Sequence, residues 1–208
     1  MIIKFILLTV YHHTMSISLP FVLLASKSPR RRQLLEALGC SFRIVEQDIE
    51  ESFPEDLPKA QVPVYLAEQK AAAVKEQLQA GEVILASDTI VLQEDTIFHK
   101  PKDHQDALRI LRALSGRQHK VITGVCLLGE DQQISFSDTA LVYFAPLSEE
   151  EMDYYIKTFQ PYDKAGAYAI QEWIGLAKIT KIEGTYNTIV GLPTQKVYEA
   201  LQKISPSI

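Results

Sequence analysis

Three consecutive arginines, Arg30, Arg31 and Arg32, stand in the first turn of a helix opened by Ser28-Pro29. The N-terminus of a helix is already the positive end of its dipole, so cations there are disfavoured unless a polyanion lies in front of them. Ahead of them an apolar run, residues 21–25, leads into the turn Ser26-Lys27-Ser28. Strand, serine-rich turn and helix N-terminus together form a backbone arrangement that cradles phosphate. The turn has no glycine and no Gly-Lys-Ser/Thr ending, so it is not a P-loop. The simpler reading of the arginines is solvated surface, and other residues must converge to displace it.

Asp88, between Ser87 and Thr89, closes the apolar strand 82–86 and so stands at a strand end, where a carboxylate can hold a metal ion or activate water. Glu51 follows Asp48 and Glu50 in an acidic loop. Lys70 sits on a helix beside a run of alanines, and Lys100 precedes the rigid Pro101. Lys164 lies in Asp163-Lys164-Ala165-Gly166-Ala167-Tyr168, where small residues allow close approach to a ligand, and Gln171 follows as a hydrogen-bonding group. Taken singly, these are a turn aspartate, an acidic surface loop, surface lysines and a strand-end glutamine. Taken together they show no Ser-His-Asp order and no Cys/His cluster. Such a mixture suits metal-assisted phosphoryl chemistry: cations screen the phosphate, Mg²⁺ bridges phosphate oxygens and carboxylates, and one carboxylate orients water.

The elements that must position these groups alternate between strand and helix. Ser28-Pro29 supplies a cap and a helix start, Leu34, Leu35 and Leu38 the apolar face, and Gly39 the stop. Spacing predicts helices over 63–78, 103–114 and 148–159, the last opened by a Ser148/Glu151 capping box. Strands are expected over 82–86, 90–92, 96–99, 120–128, 134–144 and 174–182, and residues 184–187 read as a turn. Gly191-Leu192-Pro193 opens a final helix with Val197, Tyr198 and Leu201 inward. The hairpin around residues 93–95 argues for α/β with a mixed sheet rather than a purely parallel one.

Composition sets outer bounds. With 208 residues, 47% hydrophobic and 23% charged, the chain is an ordinary globular one with a sizeable core. Its net charge of −5 argues against wrapping nucleic acid. Cys40 and Cys126 make neither a metal spacing nor a disulfide framework, which points to a reducing, cytoplasmic setting. The apolar start MIIKFILLTV is too short to cross a bilayer and makes a poor signal peptide. Residues 1–18, with His12-His13, are read as an extension of unknown role, Met15 as an alternative start, and 19–208 as one catalytic domain.

The segments LLASKSPRRRQLLEALG, ASDTIVLQEDTIFHKP, LSGRQHKVITGV, YDKAGAYAIQ and NTIVGLP occur in this order. The set resembles the Maf family of nucleotide pyrophosphatases over nearly the whole chain outside the extension, and DKAGAYAIQ resembles the branch acting on dTTP and UTP. The resemblance implies hydrolysis of a nucleoside triphosphate to monophosphate and pyrophosphate, which removes unwanted nucleotides. It further implies a two-lobed, mixed-sheet Maf/ITPase-like α/β fold with a central cleft, a divalent cation (Mg²⁺ or Mn²⁺), no nucleic-acid or membrane partner, and a homodimer in many members. Carried over by position, Ser26, Ser28, Arg30, Arg31, Lys70 and Lys100 hold the triphosphate, Lys100 counting also among the catalytic groups. Glu51 is a metal ligand or an activator of water, Asp88 the general base or a metal ligand, and Thr89, Lys164 and Gln171 line the pocket. Glu172-Trp173, where relatives continue with glycine, leaves the choice of base open. The alternatives are the same chemistry on CTP or a modified nucleotide, or a nucleotide-binding septation regulator with little turnover.

Overall fold

The computed structural model describes residues 19–46, 49 and 51–204. The extension at 1–18, with His12-His13 and Met15, and the acidic residues Asp48 and Glu50 lie outside them. Seven strands form one mixed sheet: β1 (Phe21–Ala25), β2 (Phe42–Ile44), β3 (Glu82–Gln93), β4 (Thr96–Phe98), β5 (Gln118–Leu128), β6 (Gln133–Phe144) and β7 (Ile179–Glu183). The sheet order is β2-β1-β3-β5-β6-β7, with β4 paired to β3. β1 runs parallel to both β2 and β3, and the remaining pairings are antiparallel. The helices are α1 (Pro29–Ala37), α2 (Val62–Ala72), α3 (His104–Leu114), α4 (Glu149–Phe159), α5 (Trp173–Lys178), α6 (Tyr186–Val190) and α7 (Thr194–Lys203). Among the described residues no helix is long and apolar enough to cross a membrane.

Local signals explain most of these elements. Ser28 caps α1 and Pro29 opens it, Asp103 caps α3, and Ser148 with Glu151 forms the full capping box of α4. Parallel pairing of β1 requires cover on both faces, and Val22 to Ala25 are indeed wholly buried. Leu35 with Val197 and Leu201 of α7 packs on one face, and Ala67 and Ala71 of α2 on the other. A third cluster, with Val91, Leu111, Val142 and Ile156, fills the space between the far end of the sheet and α3 and α4.

β3 has different neighbours along its two edges. On one edge β5 pairs it without interruption from Ile84 to Leu92. On the other, β1 ends opposite Ala86 and β4 begins opposite Val91. Residues 87–90 therefore face a gap in the sheet. The sequence expectation that the strand stops before Asp88 is corrected: β3 continues through Ser87, Asp88 and Thr89, because β5 supplies the hydrogen-bonding partner that the polar side chains do not.

Other expectations also need revision. The helix read over 63–78 starts at Val62 and ends at Ala72, followed by a single tighter turn at Lys75–Gln77. The strand read over 174–182 is α5 followed by β7. Gly175 packs so tightly on the preceding loop that a Cβ there would lie 1.8 Å from the Ile170 carbonyl oxygen, which favours the compact helical path. The turn read over 184–187 runs into α6, capped by Thr185. Among the small residues around Lys164, Ala165 lines the cavity described below, whereas Gly166, at φ 73°, packs on β3, where a Cβ would meet Val91 at 2.7 Å.

Gly124 on β5 sits opposite Asp88, and a Cβ there would lie 2.2 Å from the Pro63 carbonyl carbon. The missing side chain lets the start of α2 rest on the sheet. Gly124→Ala must lift α2 off against backbone atoms, and we expect a loss of about 3 kcal/mol in urea unfolding; an unchanged midpoint would contradict this packing.

His119 on β5 is 2% exposed, and its Nε2 lies 2.7 Å from the Tyr168 hydroxyl. Burial depresses its pKa from 6.5 to about 3, so the unfolded chain takes up the proton first as pH falls. The stability this confers is complete above pH 6.5 and declines below it, by about 1.4 kcal/mol per pH unit at most, until about pH 3. Unfolding followed between pH 7 and 4 is expected to show a shallower acid loss in His119→Phe than in the wild type.

Candidate active site

The gap beside β3 opens into a cavity of about 580 Å³. The turn after β1 and the start of α1 form one wall, α2 and the segment carrying Glu51 a second, and the loop 163–171 with His99 and Lys100 a third. Six cationic side chains among the described residues line it, Lys27, Arg30, Arg31, Lys70, Lys100 and Lys164, against three carboxylates, Glu51, Asp88 and Asp163. The site is thus positive inside a protein of net charge −5. Val91, Val121, Tyr168 and Ile189 give it an apolar side.

Alternation along β3 divides the polar residues between two networks. Ser87 and Thr89 turn toward α1 and the carbonyl after α6. The Ser87 hydroxyl donates to the Gly191 carbonyl at 3.2 Å. Arg31 donates from Nε to the same carbonyl at 2.9 Å, from Nη1 to Ser26 Oγ at 3.3 Å and from Nη2 to Thr89 Oγ1 at 3.1 Å. Thr89 in turn meets Thr123 Oγ1 at 2.9 Å, and Thr123 donates to the Thr188 carbonyl at 2.8 Å. Arg31 is therefore held by three separate segments. Desolvation lowers its pKa, opposed by the nearby Asp88 charge. Such a guanidinium, half-buried and short of anionic partners, is suited to receive one.

Asp88 turns the other way. Its Oδ1 accepts from Lys70 Nζ at 2.6 Å, and the same ammonium lies 2.7 Å from Glu51 Oε1. Lys70 and Asp88 are 8% and 7% exposed, whereas nearly half of the Glu51 side chain is open. Burial alone would raise the Glu51 pKa; the Lys70 hydrogen bond and the charges of Lys70, Lys100 and Arg31 outweigh it and hold the carboxyl below its usual range.

Across the mouth, Arg30 Nη1 donates to Asp163 Oδ2 at 3.0 Å, and Lys164 Nζ lies 2.6 Å from the other oxygen of Asp163. Lys164 also reaches Glu172 Oε1 at 3.3 Å, and Glu172 accepts from the buried Tyr155 hydroxyl. Glu172 thus acts on the cavity through Lys164, and Trp173 packs edge-on against Tyr154. Gln171 lines the cavity with its side chain exposed.

The structure brings together every site residue expected from the sequence: Ser26, Ser28, Arg30, Arg31, Glu51, Lys70, Asp88, Thr89, Lys100, Lys164 and Gln171 all line one cavity. Sequence reading missed Lys27 and His99, which line it too, the Gly191 carbonyl, which accepts from Arg31, and the Thr123 hydroxyl, which meets the Thr89 hydroxyl that Arg31 also contacts. Lys27 was readable from its place between the two serines. Thr123 and Gly191 become visible only once β5 and the end of α6 are laid against β3.

Among the described residues no three His, Cys, Asp or Glu side chains converge on one point. Glu51 and Asp88 alone fit a hard divalent cation that completes its shell with phosphate oxygens and water, as Mg²⁺ commonly does.

A cleft that gathers cations from three walls around Glu51 and Asp88 has the charge and shape suited to a small polyanion. The Maf-like protein family profile matches residues 21–204, and the chain belongs to the Maf family. Among curated relatives, the dTTP/UTP pyrophosphatase of Bacteroides thetaiotaomicron is 44% identical over 184 residues, 88% of this chain and 95% of that protein. The dTTP/UTP pyrophosphatase of Phocaeicola vulgatus is 45% identical over the same shares of both chains. Solved structures are more distant: the Staphylococcus aureus Ham1 protein is 15% identical, with a TM-score of 0.45 over 60% of this chain and 72% of that one.

Lys70→Met removes the chief groups holding Glu51 ionised. In a carboxyl NMR titration we expect Glu51 to titrate below 4.5 in the wild type and to move upward in the variant. An unmoved midpoint would show that Lys70 does not control this carboxyl.

Proposed function

We propose that this protein hydrolyses dTTP and UTP to the nucleoside monophosphate and pyrophosphate, removing unwanted nucleotides in the cytoplasm, with residues 19–208 as the catalytic unit. The observation that carries the reading is the single cavity in which Arg31, Lys70 and Lys100 surround Asp88 and Glu51. Family membership and the names of the relatives support the reaction and the pyrimidine preference.

In this reading Ser26, Ser28, Arg30 and Arg31 seat the phosphates at the start of α1, and Lys70 and Lys100 neutralise charge from the opposite walls. The apolar side, with Val91, Val121, Tyr168 and Ile189, takes the base, and Thr89, Lys164 and Gln171 complete the pocket. Asp88 accepts the proton as water attacks the α-phosphorus in line. The bond to the bridging oxygen between the α- and β-phosphates breaks, and pyrophosphate leaves. A divalent cation, Mg²⁺ or Mn²⁺, held by Glu51 and Asp88 would screen the phosphate oxygens and the leaving group. The substrate is a free nucleotide, with neither nucleic acid nor membrane as partner.

Purified protein with Mg²⁺ is expected to give monophosphate and pyrophosphate from dTTP and UTP, and far less from CTP, GTP and 7-methyl-GTP. Asp88→Asn is expected to lower turnover by about 10²-fold or more with the fold intact by circular dichroism. Diphosphate and phosphate as products, or no product at all, would refute the reading, and full activity in Asp88→Asn would remove Asp88 from the base role.

A further inference from the structure

The two carboxylates that could hold a metal ion already share a cation. The Lys70 ammonium lies 2.6 Å from Asp88 Oδ1 and 2.7 Å from Glu51 Oε1, so two of its three N–H donors end on these oxygens. It is not a loose surface contact, since Lys70 is 8% exposed and comes from α2, which is seated on β5 at Gly124. Lys100 and Arg31 also act electrostatically on Glu51, and Arg31 on Asp88. Around the carboxylate pair the described charges are therefore three cations to two anions. Among the described residues, a divalent ion entering this environment alone meets a net positive surrounding and two protein carboxylates, and must compete with Lys70 for both. A triphosphate reverses each of these terms. It brings several negative charges and the oxygens needed to complete an octahedral shell.

We propose that Lys70 is the resident counter-ion of the Glu51–Asp88 pair, and that a divalent metal ion binds there only together with a triphosphate. The nucleotide-free protein then keeps Asp88 paired and buried without metal, and metal and substrate arrive as one unit. Binding is coupled and reciprocal: the triphosphate tightens the metal, and the metal tightens the triphosphate by the same factor. The proposal rests on the reading of the cavity as a triphosphate site.

Electron paramagnetic resonance of Mn²⁺ tests this without turnover. Mn²⁺ is titrated into the full chain alone, into the chain with α,β-methylene-dUTP, and into the analogue alone as reference. The nucleotide-free wild type is expected to bind Mn²⁺ with a Kd weaker than about 1 mM, in the range of poorly assembled oxygen sites. The ternary mixture is expected to bind at least about tenfold tighter than the analogue alone, a usual size for coupling between sites. Lys70→Met is expected to bind Mn²⁺ without nucleotide, and about 1 mM Mn²⁺ should raise its Tm by about 3 °C or more while leaving the wild type unchanged. Glu51→Gln, altered at the half-exposed partner, keeps the Lys70–Asp88 pair as a folded control and is expected to lose the gain given by the analogue.

Micromolar Mn²⁺ binding to the nucleotide-free wild type, or no tighter binding in Lys70→Met, would overturn the role given to Lys70. An analogue that does not bind the wild type at all would instead overturn the triphosphate reading, while the nucleotide-free comparison of wild type and Lys70→Met still decides the place of Lys70.

Discussion

The site exists because β3 is longer than its neighbours on one edge. β5 holds β3 continuously from Ile84 to Leu92, while β1 stops opposite Ala86 and β4 starts only opposite Val91. A fully flanked strand would cover Asp88 and Thr89, and a free one would fray. Here the backbone is fixed on one side and open on the other, so polar side chains can be rigid and still reachable. The turn after β1 enters this opening, which brings the first turn of α1, with its arginines, against β3.

From that constraint two networks follow on opposite faces of one strand. Ser87 and Thr89 tie β3 to Arg31 and the Gly191 carbonyl, while Asp88 ties it to Lys70 and Glu51. Each network joins segments far apart in the chain, so each fixes the cavity walls relative to one another. The face toward α2 depends on Gly124, since Lys70 reaches Asp88 only because α2 lies against bare backbone there. The paired carboxylates are buried or half-buried, yet matched by an ammonium, which avoids the large cost of an isolated buried charge. Across the mouth, Asp163 stands between Arg30 and Lys164, so even there a carboxylate meets the site's excess positive charge.

Much of this was legible beforehand. Capping residues, proline at a helix start and apolar faces specified α1, α3 and α4 locally, and the hairpin required a mixed sheet. Three arginines at the positive end of a helix stand out by type alone; the other residues of the site are ordinary taken singly, and their order along the chain and the resemblance to the Maf family named them. What misled was also local. Ser87-Asp88-Thr89 looked like the end of a strand because polarity was read as exposure, whereas hydrogen bonding to β5 carries the strand through. The strand read over 174–182 begins only at Ile179, because packing of Gly175 on Ile170 selects a helix for the residues before it.

The sequence by itself determined which groups are present, which helices and strands carry them, and that cations and carboxylates would outnumber any nucleophile. These follow from backbone propensity and side-chain chemistry, which act over a few residues. Only the tertiary structure decided that Lys70 bridges Asp88 and Glu51, that Arg31 is held by Thr89 and Gly191, and that Glu172 reaches the cavity through Lys164. Those contacts join positions from 8 to 160 apart in the chain. They are fixed by sheet order and by where a neighbouring strand ends, which no local pattern encodes.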